Sequence, residues 1–239
     1  VRVNPLAYVG AEKKLYLRKR ITVTASYDLA AAPRAISAKQ ANLFGPLVDS
    51  LVVNPAAAAD FAPKVRSAEP KAGAVDYLIV TSAALSNAFQ RLADYRASAA
   101  GGIYTTRVLT TNDIGAAYAG TDIQAKIRSC ISNAVATWGT EMVVLGGDDT
   151  AVLDRDCYVE AAGSIETGMP TDLYYSGLNG NWNADGDTIY GETTDGVDMA
   201  WDVVVARITV RTEAQATNYL NKVIAFEAGG APSDKVILG

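Results

Sequence analysis

The 239-residue sequence has no histidine, two cysteines and three methionines. Without an imidazole, no Ser–His or Cys–His catalytic pair can be assembled from this chain's own residues, because both nucleophiles need an adjacent base. No apolar run approaches the roughly 20 residues that span a bilayer as a helix, so no membrane span is expected. No G-x-x-x-x-G-K-[ST] run is present, and no G-x-G-x-x-G follows the first strand of the main domain. Nucleotide phosphates therefore have no recognisable cradle. Basic residues are in the minority: 21 Lys and Arg against 26 Asp and Glu give a net charge of −5 and a pI near 4.8. That balance leaves nucleic acid without an electrostatic footprint. Hydrophobic residues make up 49% and charged residues 20% of the chain, proportions of a globular protein rather than a disordered one. The length suits one medium domain, or a domain with a small appendage. The chain opens on Val1 without a charged-then-apolar leader, so a removed signal or an excised piece is expected.

Residues 1–73 read as a small antiparallel β segment and a connecting arm. Leu15, Leu17, Ile21, Val23 and Ala25 alternate with polar residues, and the run Ile21-Thr22-Val23-Thr24 suits a pleated surface. The basic run Arg18-Lys19-Arg20 reads as a solvated part of a strand pair, with a processing or nucleic-acid signal as the alternative. Pro33, Pro46, Pro55, Pro63 and Pro70 punctuate an Ala- and Ser-rich stretch that ends near Gly73.

From residue 74 to 239 strands and helices alternate. Residues 75–81 (V-D-Y-L-I-V-T) form a continuous apolar run, as in a strand covered on both faces. Ser82 is placed to cap a helix with Leu85, Phe89, Leu92 and Arg96 at helical spacing, ended by Gly101-Gly102. Residues 103–110 read as a second strand, and Ile114 to Tyr118 as a short helix. Thr121-x-x-Gln124 has the form of a capping box. Ile123, Ile127, Ile131, Ala134 and Trp138 make the buried stripe of the helix that follows, with Gly139 at its C-terminal stop. Residues 141–147 and 201–208 read as further strands. Thr212-x-x-Gln215 caps a helix with Ala216, Tyr219, Leu220, Val223 and Phe226 as its stripe, and Lys235 to Leu238 opens another strand. A chain ending in mid-strand is expected to be a truncated one. The alternation implies an α/β fold, a mostly parallel sheet with helices on both faces.

The densest set of oxygen ligands and glycines lies between Pro170 and Glu192. Asn181, Asn183, Asp185, Gly186 and Glu192 fall on positions 1, 3, 5, 6 and 12 of a calcium loop. Asp187 adds a backbone or side-chain oxygen, and Asp172 and Asp198 are close enough in sequence to complete a shell. The match is imperfect, since position 1 is Asn and the hydrophobic Ile189 comes one place late. Turn-like flanks exclude an EF-hand. The competing reading is a polar loop whose Asn, Asp and Gly only make turns. Two carboxylates besides Asp187 imply weak calcium binding, about 10⁻⁴–10⁻³ M.

Gly146-Gly147-Asp148-Asp149 has the letters of a cyclase G-G-D motif. That motif needs a hairpin, whereas here it ends a parallel strand. Asp148 and Asp149 could act as acid and base only by sharing a proton, and adjacent strand-end residues point apart. Cys130 and Cys157 lack a base, so neither reads as a nucleophile. They are two buried thiols or one disulfide closing the helix-to-strand unit; the disulfide is the favoured reading and would fit an exported protein.

The ordered series Y-L-I-V-T-S, G-I-Y-T-T-R-V-L-T-T-N-D-I, T-D-I-Q-A-K-I-R, M-V-V-L-G-G-D-D, P-T-D-L-Y-Y-S-G-L-N-G-N-W-N-A-D-G-D and V-V-V-A-R-I-T-V-R-T-E-A-Q-A-T-N-Y-L resembles the gingipain-type (C25) cysteine peptidases. The resemblance runs from Val75 to Glu227, and residues 1–27 look like the end of that family's propeptide. It implies a caspase-like α/β domain of two subdomains, with the catalytic His and Cys in the second. This sequence, having no His, matches the propeptide tail and the first subdomain, and Lys235 to Gly239 looks like the opening of the second. The implied function is the non-catalytic front portion of a secreted cysteine endopeptidase acting on proteins or peptides. The second subdomain would be its partner. A calcium-stabilised binding module that lost catalysis, and the N-terminal chain of a two-chain enzyme cut after Gly239, are the alternatives. Bound calcium in several members strengthens the metal reading of Asn181, Asn183, Asp185, Asp187 and Glu192.

Overall fold

The computed structural model describes residues 6–22, 24, 36, 38–52, 56, 60, 65, 73–197 and 200–229. The chain divides into two compact units, Val1–Ala68 and Glu69–Gly239. In the first unit, β1 (Leu6–Val9) and β2 (Lys14–Leu17) pair antiparallel about a turn in which Lys13 takes a positive φ of 51°. This hairpin is shorter than the alternation suggested. The strand stops at Leu17, and Ile21, Thr22 and Thr24 are irregular. A helix, α1 (Ala38–Leu51), with Pro46 inside it, completes the described secondary structure of this unit's longer segments.

The second unit is built on β3 (Tyr77–Thr81), β4 (Thr106–Thr110), β5 (Met142–Gly146) and β8 (Val204–Ile208). They are ordered β4-β3-β5-β8 and parallel throughout. Every residue of β3 is buried, which explains its unbroken apolar run. Leu78 and Val80 point to one face and Tyr77 and Ile79 to the other, as the two-residue period of a strand requires. The first face is covered by α3 (Thr111–Ala117) and α4 (Ile123–Asn133) through Ile114, Ile127 and Ile131. The second is covered by α2 (Ser86–Ala97) and α6 (Glu213–Ala228) through Phe89, Leu92, Ala216 and Leu220. The expected α/β architecture is present: one parallel sheet between helices, with a separate small antiparallel β element near the front of the chain.

Several local expectations shift. Ser82 makes no side-chain cap; a 3₁₀ turn, Ala83–Leu85, intervenes before α2. Strand β4 begins at Thr106 rather than Ile103, because Ile103 N–H donates to Ser98 O at 3.0 Å and Tyr104 N–H to Arg96 O at 2.9 Å, closing the turn after α2. The cap of α4 is Asp122, one residue beyond Thr121; its carboxylate accepts from Ala125 N–H at 2.7 Å. Gly139 does close the following π turn (Ala134–Trp138) in the left-handed region at φ 77°, and Thr212 with Gln215 forms a complete capping box. On α6 only Ala216 and Leu220 are buried. Tyr219 and Phe226 are 44% and 63% exposed, because β8 is the last strand on that side among the described residues. Between β5 and β8 the chain makes a hairpin that the sequence patterning did not suggest. It consists of β6 (Arg155–Ala161) and β7 (Ser164–Thr171), followed by the single turn α5 (Leu173–Ser176). The strand expected at Lys235 to Leu238 lies outside the described residues. So does Asp198.

Cys130 and Cys157 are free thiols, not the favoured disulfide. Both sit in the same apolar cluster beneath the sheet, Cys130 on α4 and Cys157 on β6. Burial pushes each thiol up to about 11, which suits inert core residues.

Gly146 ends β5 against the fully buried ring of Phe89; a Cβ there would stand 2.7 Å from the ring. Gly146→Ala should therefore cost about 1–3 kcal/mol through overpacking, read as a lower urea midpoint with an unchanged slope.

Candidate functional site: an acidic loop and the C-terminal edge of the sheet

Two places in the second unit gather polar side chains. One is the loop that follows α5. Its base is an aromatic and arginine cluster. The Tyr174 ring meets Tyr175, Trp182 and Tyr190 edge-on at 5.5, 5.5 and 6.1 Å. Arg155 lies 4.0 Å from the Tyr190 centroid and 4.7 Å from that of Tyr174, a desolvated cation–π arrangement. Its Nη2 donates to both Asp122 oxygens at 2.7 and 2.8 Å, so one carboxylate caps α4 and anchors the hairpin. Arg128 donates to the carbonyls of Tyr174, Gly177 and Asn179. Trp182 Nε1–H donates to Gly177 O at 3.2 Å. These contacts fix where the loop leaves and re-enters the domain.

Within the loop, backbone amides are satisfied by its own side chains. Asn181 Oδ1 accepts from Asn183 N–H at 3.0 Å, and Asn183 Oδ1 from Gly186 N–H at 2.8 Å. The Asn183 amide donates to Asp187 O at 2.8 Å. Asp185 and Asp187 each accept an amide two residues on, from Asp187 and Ile189. These are Asx turns. Gly186 takes φ 78°, a conformation that glycine adopts without steric cost. The organiser is Asp195, absent from the sequence-based ligand set. It is 3% exposed and accepts from Ala184 N–H at 2.6 Å and from the Gly191 and Glu192 N–H groups at 3.0 Å each. Its signal was present in the sequence as an Asp followed by a glycine of positive φ, Gly196, the composition of a turn.

Of the five residues assigned to a metal, three come together. One carboxylate oxygen each from Asp185, Asp187 and Glu192 lies within 4.8 Å of the others. Asn181 and Asn183 are engaged in the turns, and the backbone oxygen of Asp187 takes the Asn183 amide. Asp172, suggested as a further ligand, is held by Arg207 in a two-point ion pair at 2.8 and 2.6 Å. Arg207 also donates to Gly147 O and Val152 O, tying β5, β8 and the end of the hairpin together. The Glu192 carboxyl is raised from its ordinary value, first by partial burial and then by the charges of Asp187 and Asp185. Three mutually repelling carboxylates with no nitrogen or sulfur donor fit a hard divalent cation better than a transition metal.

The second place is the C-terminal edge of the sheet, where open α/β folds put their sites. A depression of about 520 Å³ is lined there by Asp148, Asp149, Arg211, Gln215 and Tyr219. Asp148 is buried and bonded to Thr150, whose hydroxyl donates at 2.6 Å, and to Arg211. The Thr150 hydroxyl and then the Arg211 guanidinium hold the Asp148 carboxyl down to about 2. It therefore stays ionised at neutral pH and cannot share a proton with exposed Asp149. This edge is not an aspartic-protease pair.

An open parallel sheet wrapped by helices on both faces, with its loops gathered at one edge, defines an α/β domain of the doubly wound kind. The chain belongs to peptidase family C25: the family's description, Peptidase family C25, matches residues 71–238. No curated protein matches it. Among solved structures it is similar to "Structure of Protease", at 21% identity and a TM-score of 0.44 over 68% of this chain and 29% of that one. It is also similar to dimeric latent PorU from Porphyromonas gingivalis, at 19% identity and a TM-score of 0.42 over 64% of this chain and 15% of that one. The chain thus spans less than a third of the length of either structure.

Replacing Asp195 with Ala strands three backbone N–H groups at the heart of the loop. The expected loss is about 3 kcal/mol, measured by urea unfolding, with amide exchange at Gly191 and Glu192 accelerated well beyond that of β3.

Proposed function

We propose that the protein serves peptide-bond hydrolysis as the non-catalytic front portion of an exported C25 cysteine endopeptidase. The carrying observation is the C25 match over residues 71–238 in a chain without histidine. Cysteine-based hydrolysis needs a thiolate to attack the carbonyl carbon, a base to generate it and protonate the leaving amine, and donors for the oxyanion. Here both thiols are buried and pushed up to about 11. The pair that does the chemistry is assigned to the second subdomain of the family. This unit then contributes the scaffold against which that subdomain is held, and protein or peptide substrates are those of the whole peptidase. No helix among the described residues is long and apolar enough to cross a membrane.

The test is to express the whole open reading frame that encodes this chain and treat it with a peptidyl inhibitor that alkylates catalytic cysteines. Label is expected on a cysteine other than Cys130 and Cys157, with casein hydrolysis lost on labelling. Label on either of those two, or hydrolysis by residues 1–239 alone, would overturn the reading. A folded product without label or turnover would favour the second reading, a calcium-stabilised binding module. That reading draws on the braced loop, which holds three carboxylates together without any catalytic group.

In either reading the loop is assigned a calcium ion, held by Asp185, Asp187 and Glu192; calcium supplies positive charge that relieves their repulsion and locks the loop. The expected affinity is weak, about 10⁻⁴–10⁻³ M. At ten times the dissociation constant the stabilisation is about 1.4 kcal/mol. Thermal melting should rise between EGTA and 10 mM calcium, and Glu192→Gln should abolish most of that rise. Identical melting with and without calcium would remove the ion.

A further inference from the structure

The basic run Arg18-Lys19-Arg20 finds no place in the function above. It follows β2 directly, and its three residues belong to neither helix nor strand. Residues 10–22 are exposed without a break. The other basic residues described are differently placed. Lys13 and Lys14 belong to the hairpin turn and β2, and Arg91, Arg96, Lys126, Arg128 and Lys222 are helical. Arg107, Arg155 and Arg207 lie in strands, and Arg211 is paired with Asp148. An endopeptidase binds its substrate as an extended chain of several residues, so it cuts where backbone is solvated and unpaired.

The ribbon ahead of this run also has little to hold it. Leu6, Tyr8, Leu15 and Leu17 are 53%, 66%, 63% and 64% exposed. Their side chains stand on both faces of a two-stranded hairpin, which is marginal in water by itself.

From this placement we propose that Arg18-Lys19-Arg20 is a proteolytic processing site for an endopeptidase that prefers basic residues. Such an enzyme seats the Arg or Lys side chain in an acidic pocket. It breaks the amide C–N bond after that residue, and water supplies hydroxyl to the new carboxylate and hydrogen to the new amine. The cut falls well ahead of the boundary between the two units at Ala68 and Glu69. It therefore releases the β1–β2 ribbon alone and leaves α1 joined to the α/β unit. The proposal stands independently of the peptidase reading, since it concerns a peptide bond that is cut rather than one this protein helps to cut.

The experiment is limited digestion of the full chain by trypsin at low enzyme ratio, read by N-terminal sequencing and intact mass. The first large product is expected to begin at Lys19, Arg20 or Ile21, appearing about tenfold faster than any other cut. The variant R18Q/K19Q/R20Q changes only exposed side chains and should lose that product while the later cuts keep their rates. The protein recovered from its source organism should carry the same new N-terminus. First cuts elsewhere in the chain, an unchanged digestion pattern in the variant, or source protein that retains the ribbon would each overturn the proposal.

Discussion

Burial of β3 on both faces is the constraint from which the α/β unit follows. Leu78, Ile79 and Val80 are wholly inaccessible, and a strand of that kind needs a hydrogen-bonded neighbour on each edge and an apolar layer on each side. The neighbours are β4 and β5, in register from Tyr77 to Thr81. Two helices on each face supply the layers. With the strands parallel, all their C-terminal ends meet at one edge, and the polar groups that cannot enter the core collect there. Gly146 and Gly147 let that edge approach Phe89 and Ala151 closely, and Asp148 is drawn into an ion pair with Arg211 rather than into solvent.

The central strands and helices were legible because each is a local pattern with one dominant cause. Residues 75–81 could only be a doubly covered strand, and Thr212 with Gln215 could only begin a helix. What was not legible depends on contacts distant in sequence. The β6–β7 hairpin is largely solvated, and every residue of Ser164–Gly168 is exposed. Its residues thus carry no strong two-residue period for a sequence pattern to detect. Asp122 and Arg155 are 33 residues apart, and nothing in either neighbourhood announces the pair. Arg207 looked like one polar residue in an apolar strand; its partner Asp172 looked like a metal ligand. Tyr219 and Phe226 kept helical spacing but face outward, since spacing reports a shared stripe and not what covers it.

The candidate site shows the same division. The Asn/Asp/Gly pattern correctly marked a loop rich in oxygen, yet half of its members serve the loop's own amides. A sequence pattern counts ligand types; it does not say which oxygens remain after the backbone has been satisfied. The three arginines of this region are turned inward. Arg155 goes to Asp122, Arg207 to Asp172, and Arg128 to three carbonyls. Among the described residues no ion pair reaches Asp185, Asp187 or Glu192. The local excess of negative charge is therefore a consequence of how the loop's base is built. The cations that could have neutralised it are used to hold the chain entering and leaving the loop. A loop whose frame consumes the nearby arginines, and whose tip gathers three carboxylates, has its missing charge supplied most simply from solution. That physical reason, more than the spacing of its letters, favours a divalent cation at Asp185, Asp187 and Glu192.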